Sequence, residues 1–267
     1  MGILARAHRA RWRSRATGGG TEAPLLAAAA SLAAIIALAA LVAPRYLNVF
    51  RAELSRSDGL ERASRSLGLS FTRDDPAFPG STATRYPFEL LSRGTRQECE
   101  NVFSGAVDGV SLIGFDLSYV EEAESEIAQP PPRDRATGAP RRVTCAIAQM
   151  PAASFAHVVI APVGAVDNAV DAATWAAWGV RNRPIQFESR EFDGRFRVRA
   201  EDPKFASAVI DPRLISWLLA NGDGWVWELQ REFVLCTRGL VPPREIPAMI
   251  STLIAFTRHI PSVAVSF

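Results

Sequence analysis

Lysine is almost absent from this chain: of 30 basic residues in 267, only Lys204 is a lysine. Histidine, cysteine, methionine and tyrosine occur three times each. Each scarcity excludes something. His8, His157 and His259 lie far apart, and none stands at ligand or triad spacing from another histidine, a cysteine or an aspartate. A zinc site or a nucleophile–base pair is therefore not expected. Cys99, Cys145 and Cys236 are odd in number and lack metal-ligand spacing, which argues against a fully paired disulfide framework. Cys99 sits between Glu98 and Glu100, whose charges oppose a thiolate, while Cys145 and Cys236 lie in apolar runs and read as small core residues. A one-sided charge is missing too. Net charge is +2, but five arginines (Arg6, Arg9, Arg11, Arg13, Arg15) fall in the first 22 residues beside one acid, Glu22. From Pro44 onward 25 basic residues face 27 acidic ones, so that part lacks the basic field that nucleic-acid binding needs.

Motifs that would carry chemistry are incomplete. Ser104, in Asn101-Val102-Phe103-Ser104-Gly105, has half of a nucleophile elbow, but Val102 stands where the first glycine belongs. Gly18-Gly19-Gly20 has neither a preceding strand nor a following Lys-Ser/Thr and reads as a linker. Glu121, Glu122, Glu124 and Glu126 lack the alternating Asp/Asn and glycine turn of a calcium loop. His157 precedes Val158-Val159-Ile160 in a strand, and His259 falls in a last helical turn, where a positive charge suits the dipole. The expectation is no catalytic set, no metal and no cofactor.

One long apolar run stands out. Leu25–Ala43 is nineteen residues without a charge, ten of them alanine. As a helix it would extend ~28 Å, close to the hydrocarbon thickness of a bilayer. Pro24 suits a first turn, Pro44 is expected to end the run, and Tyr46 sits at an interfacial position. A buried helix seldom stays uncharged on every face for five turns. A cleaved signal peptide, with Ala37-Leu38-Ala39 as processing site, has a shorter apolar core. The reading is a retained transmembrane anchor in the cell membrane, with the bilayer as a partner. Arg6 occupies the position where a myristoylation motif wants Ser or Thr. Five arginines precede the run and four (Arg45, Arg51, Arg56, Arg62) follow within twenty residues, which tilts toward a cytoplasmic N-terminus and an exported domain.

The rest reads as α+β: a basic disordered tail over 1–22, the transmembrane helix, a juxtamembrane helix over 47–67 interrupted at Gly59, and a globular domain over 70–267 of antiparallel strands with grouped helices. Strands are expected at Tyr86–Leu91, Glu100–Val107, Val110–Tyr119, Arg142–Gln149, Ala156–Ala161, Ile185–Arg190, Arg195–Arg199, Trp225–Leu229 and Phe233–Thr237. Asp108-Gly109 and Asp193-Gly194 are hairpin turns in this reading. Polar, proline-rich 121–140 reads as a mobile loop and Asp167–Trp178 as a helix. Asp202-Pro203 and Asp211-Pro212 each place a capping acid before a first-turn proline, and Arg244–His259 closes the chain as a helix.

Phe187–Ala206 (FESREFDGRFRVRAEDPKFA), with Asp211-Pro212-Arg213 and Trp217-Leu218-Leu219, resembles a group of uncharacterised single-pass membrane proteins common in high-GC Gram-positive bacteria. The run Asn101-Val102, Gly105, Gly109, Phe115-Asp116 and Tyr119, and Leu67-Gly68-Leu69, are similar to that group as well. The resemblance covers most of residues 50–260 and implies a cytoplasmic domain, opposite to the arginine count. It implies no activity. The shared motif reads as structure: Phe187, Phe192, Phe196 and Phe205 as core aromatics, and Glu188, Arg195, Arg197 and Arg199 as cross-strand ion pairs. The leading functional reading is a membrane-anchored, non-catalytic binding or scaffold module for a protein or envelope partner, with Trp225, Trp227, Glu188 and Arg195 as binding candidates. The alternatives are an enzyme with Asp116, Glu188 or Arg195 in a cleft, and an accessory subunit of a membrane complex whose helix pairs through Ala27, Ala30, Ser31 and Ala34.

Overall fold

A computed structural model describes residues 22–74, 85–92, 95–120, 140–163 and 183–262. The basic tail, the loop over 121–140 save its last residue, and the expected helix Asp167–Trp178 lie outside the described residues. The chain divides into two compact units, Met1–Glu53 and Leu54–Phe267. One helix, α1, runs Glu22–Ser66. Pro44 does not end it, contrary to expectation: a proline inside a helix removes one backbone hydrogen bond, and the remaining ladder carries the helix on. The anchor and the juxtamembrane helix are thus one element. Among the described residues no helix is long and apolar enough to cross a membrane. Most of the side chains of Leu25–Ala43, from residue 25 to 37 and Leu41, lie outside that set. The helix stops where expected, with Gly68 at φ +73° and Leu69 N–H returning to the Ser64 carbonyl.

Among the described residues the second unit holds a nine-stranded, wholly antiparallel sheet with helices between its strands, an α+β fold as the composition of elements implied. The strands are β1 (Ser70–Asp74), β2 (Thr95–Val107), β3 (Val110–Val120), β4 (Arg141–Gln149), β5 (Phe155–Pro162), β6 (Arg183–Ile185), β7 (Phe196–Ala200), β8 (Val226–Arg231) and β9 (Phe233–Gly239), in the order β1-β2-β3-β4-β9-β8-β5-β7-β6. The Asp108-Gly109 turn closes β2 on β3, with Val107 opposite Val110; both turn residues have positive φ, the geometry that favours Asp-Gly there.

Two strand expectations fail for identifiable reasons. Ile185–Arg190 is strand only at its start. Ser189 accepts the Phe192 N–H and so caps a short helix, α2 (Arg190–Arg195), which absorbs the expected Asp193-Gly194 turn. Asp193 then accepts the Phe187 N–H, fixing the approach to that helix. Tyr86–Leu91 makes no strand; it forms a strap ending in a 3-10 turn at Glu89–Ser92. The Asp-Pro caps hold: Asp202 opens α3 (Pro203–Val209) and Asp211 opens α4 (Pro212–Asn221), each accepting two backbone N–H groups. The last helix, α5, is Ile246–His259 after a 3-10 turn at Pro243–Glu245.

Period-two alternation divides the core between the faces of the sheet. One face, under the Leu60 stretch of α1 and under α3, α4 and α5, buries Phe103, Phe192, Phe196, Phe205, Trp227 and Phe256. Trp227 stacks on Phe256 at 4.1 Å. The other face buries Phe115, Leu117, Cys145, Ile147 and Leu235 beneath Tyr86, Phe88, Leu90 and Leu91 of the strap.

Candidate functional site

The strands that alternate so regularly each place a charge where an apolar side chain belongs. On β5, His157 precedes Val158; on β8, Glu228 lies between Trp227 and Leu229; on β3, Asp116 lies between Phe115 and Leu117. His157, Glu228 and Asp116 are 7%, 3% and 3% exposed. A buried charge is costly unless paired, and the fold pairs all three.

Beneath the strap, His157 Nε2 lies 2.9 Å from Glu228 Oε1, and His157 Nδ1 lies 3.7 Å from Glu89 Oε1. The same Glu228 oxygen accepts the Glu89 backbone N–H at 2.7 Å. One carboxylate oxygen therefore holds both the imidazole and the strap. Burial pushes His157 down, but the hydrogen bond and charge of Glu228, with Glu89 and Glu201 behind it, outweigh this, and the imidazole is held above its ordinary 6.5. Arg199 is pushed below its usual value by burial, with Glu89 acting against that shift.

On the helix-covered face, Arg56 of α1 grips Asp116 with both arms: Nη2 to Oδ1 at 2.7 Å and Nε to Oδ2 at 2.8 Å. Its Nη1 donates to the Val241 carbonyl at 2.9 Å. Thr144 Oγ1 donates to Asp116 Oδ1, Asn101 Nδ2 donates to Oδ2, and the Val241 N–H donates to Thr144 Oγ1. Asn101 takes φ +56°, and its Oδ1 is buried without a hydrogen-bond partner.

Two concavities open on the surface of this unit. A groove of about 550 Å³ is lined by Ser55, Gly59, Arg62, Ala63 and, across from them, Pro242, Pro243, Arg244 and Pro247. At Gly59, the expected flaw in the helix, an added Cβ would lie 2.9 Å from the Pro243 ring. A smaller pocket of about 210 Å³ lies beside the strap, between Arg85, Tyr86, Ser104, Ser111, Ile113, Ile147, Gln149 and Phe233.

The residues singled out from sequence fall elsewhere. Trp227 is core, and Trp225 is buried beneath the Arg238 guanidinium at 4.3 Å from its ring. Arg195 pairs with Asp223 at 2.6 Å and with Glu191 at 3.9 Å; Glu188 is exposed. Arg195 of the motif thus makes local contacts, and Arg197 bonds to the Asp193 carbonyl. Asp116 on β3 and Arg195, just before β7, belong to distant parts of the sheet, since β3 and β7 stand five strand spacings apart, about 24 Å. Burial pushes the Cys145 and Cys236 thiols up, away from nucleophilic use. Glu89, Glu228 and the Arg56 contact are the residues that sequence reasoning missed.

The architecture is that of an α+β domain with a single antiparallel sheet, and comparison with known proteins supports this class. No family model matches the chain, and no curated protein sequence is similar to it. Among solved structures it is similar to the crystal structure of the mycobacterial trehalose monomycolate transport factor A, TtfA. The two share 10% identity and a TM-score of 0.53 over 77% of this chain and 96% of that one. At that identity the likeness is one of fold.

Proposed function

We propose that this protein is a membrane-tethered, non-catalytic module of the cell envelope whose globular unit binds anionic lipid in the groove between the Ser55–Ala63 stretch of α1 and Pro242–Pro247. Leu25–Ala43 is its single membrane span in this reading. The observation that carries the proposal is the make-up of the groove. Three prolines, a glycine and an alanine give it an apolar lining, and two guanidinium groups stand at its edge. Arg62 has no acidic partner among the described residues. Arg244 is 85% exposed and reaches Glu245 only at 3.8 Å, while Glu245 is held by Arg238 at 2.7 Å. An apolar channel flanked by two exposed guanidinium groups complements an acyl chain with a negative headgroup, since arginine matches phosphate geometry and each cation near an anionic surface contributes about 1 kcal/mol. The fold likeness to a lipid transport factor points the same way, as does the resemblance to single-pass membrane proteins.

The test is photo-crosslinking of the full chain in nanodiscs that contain either a photoactivatable phosphatidylglycerol or its phosphatidylcholine counterpart. Labelling is expected on peptides covering 55–63 and 242–247, with the anionic lipid preferred, and R62E with R244E should reduce it by at least roughly tenfold. Equal labelling by both lipids, or labelling unmoved by the double reversal, would end the proposal. A protease-sensitive tag after Phe267, compared in intact and opened cells, then identifies the leaflet that supplies the lipid.

A further inference from the structure

The small pocket beside the strap is chemically unlike the groove. Its floor is Ile113, Ile147, Tyr86 and Phe233, with the two aromatic rings edge to face at 4.9 Å. Besides Leu112, its remaining lining is polar: Arg85, Ser104, Ser111 and Gln149. Most of these groups have unused hydrogen-bonding capacity. Arg85 lies over the Tyr86 ring at 5.4 Å and has no acidic partner among the described residues. The Ser111 hydroxyl and the Gln149 amide make no hydrogen bond among the described residues, whereas the Ser104 hydroxyl is shared with Ser70 at 3.0 Å. Burial holds the Tyr86 hydroxyl above its usual pKa. Elsewhere in this unit the buried charges are paired, which makes a half-enclosed concavity with an uncommitted cation, hydroxyl and amide distinctive.

We propose that this pocket binds a hydroxylated ring of monosaccharide size carrying one anionic group, whether on a lipid headgroup or on a free sugar phosphate. The ring's apolar face lies on the aromatic and aliphatic floor. Its hydroxyls meet Ser111 and Gln149, and its anionic group meets the Arg85 guanidinium. A volume of about 210 Å³ is below that of pockets for drug-sized ligands, which begin near roughly 300 Å³. It suits one ring and not a disaccharide. The strap supplies both Arg85 and Tyr86, so binding also ties the strap to β2, β3 and β4. This inference does not rest on the lipid groove, which uses other residues and another element.

Calorimetric titration of the full chain in detergent with glucose 6-phosphate, glucuronate and neutral glucose tests it. Both anions are expected to bind at least roughly tenfold more tightly than glucose, and R85Q should remove that preference, since a charge-assisted hydrogen bond contributes about a tenfold factor or more. S111A and Q149A should each weaken all three ligands by a smaller factor. The R62E/R244E variant should bind as wild type does, which separates this site from the groove. Two results overturn the proposal: no binding of either anion at millimolar concentration, or anion binding that R85Q leaves unchanged. To separate the sources, phosphatidylinositol nanodiscs are compared with free inositol phosphate. R85Q should weaken both; if it affects only the nanodiscs the headgroup is the ligand, and if only the free phosphate, the soluble sugar is. All of these residues lie at exposed or half-exposed edges, so the variants are expected to fold.

Discussion

Asp116 on the helix-covered face meets a guanidinium, whereas Glu228 on the strap-covered face meets an imidazole. The surroundings differ as much as the partners. Asp116 accepts from Arg56, Thr144 and Asn101, and Arg56 goes on to the Val241 carbonyl, so five separate segments are tied at one point. Glu228 accepts from His157 and from one backbone N–H of the strap. The first cluster clamps the last turns of α1 to β3. The second holds eight residues, 85–92, over its opposite face. An arginine stays charged wherever proteins fold, while a histidine changes charge near neutrality. The comparison therefore assigns permanence to one face and adjustability to the other.

The largest effect should come from breaking the clamp. D116A leaves Arg56, whose side chain is only 13% exposed, without its counter-charge and strands the Thr144 and Asn101 donors. We expect a loss of about 3 kcal/mol in urea unfolding of the full chain, since removing one partner of a buried pair exposes the desolvation cost of the other. A loss below about 1 kcal/mol would show that the helix is held by Leu60 and its apolar neighbours alone. Next in size is E228A, which deprives both His157 and the Glu89 N–H of their acceptor. About 2 kcal/mol is expected, with the loosening confined to the strap. Hydrogen exchange of residues 86–92 should rise far more than that of β3, and a uniform rise would contradict the view of the strap as a separate attachment.

A smaller change sharpens the helix side of the comparison. In G59A the new methyl meets the Pro243 ring at 2.9 Å. The gain in helix propensity is about 1 kcal/mol and overpacking costs about 1–3 kcal/mol, so a net loss near 1 kcal/mol is expected. Stabilisation instead would mean that Pro243 yields easily and that the groove wall is soft.

Much of the fold was legible in the sequence because its signals are local. Asp108-Gly109 fixes a hairpin within a few residues, and Asp202-Pro203 and Asp211-Pro212 carry both cap and first-turn geometry in adjacent positions. The helix at Arg190–Arg195 was missed because its signal, Ser189 capping Phe192, sat inside a run that also alternates like a strand. The polar clusters were illegible for a different reason. Arg56 and Asp116 are 60 residues apart, and His157 and Glu228 are 71 apart. Such pairs exist only once strand order is known. A weaker signal was present: Asp116, His157 and Glu228 each occupy an inward position in an otherwise apolar strand, which marks a residue that needs a partner without naming it. The alternation of Trp225 and Trp227 in their strand is that of residues facing the core, and both are buried.

The finest test of the comparison is its pH dependence. His157 is held above its ordinary value of 6.5 against the opposing effect of burial, by Glu228 from β8, Glu89 from the strap and Glu201 after β7, with Arg199 as the nearby cation. A group whose pKa is raised on folding contributes stability that is complete below its unfolded value and is lost as pH climbs through the folded one. The urea midpoint should therefore fall between pH 6.5 and the higher pH at which the folded imidazole loses its proton, then level off. H157Q keeps a hydrogen-bonding side chain but cannot titrate, so its profile through that window should be flat and its midpoint at pH 6 lower than wild type. D116A should lower the whole curve and leave its slope unchanged, because it leaves the His157–Glu228 contact in place. A wild-type slope that survives H157Q would place the pH response outside the strap and would remove the distinction between the two faces.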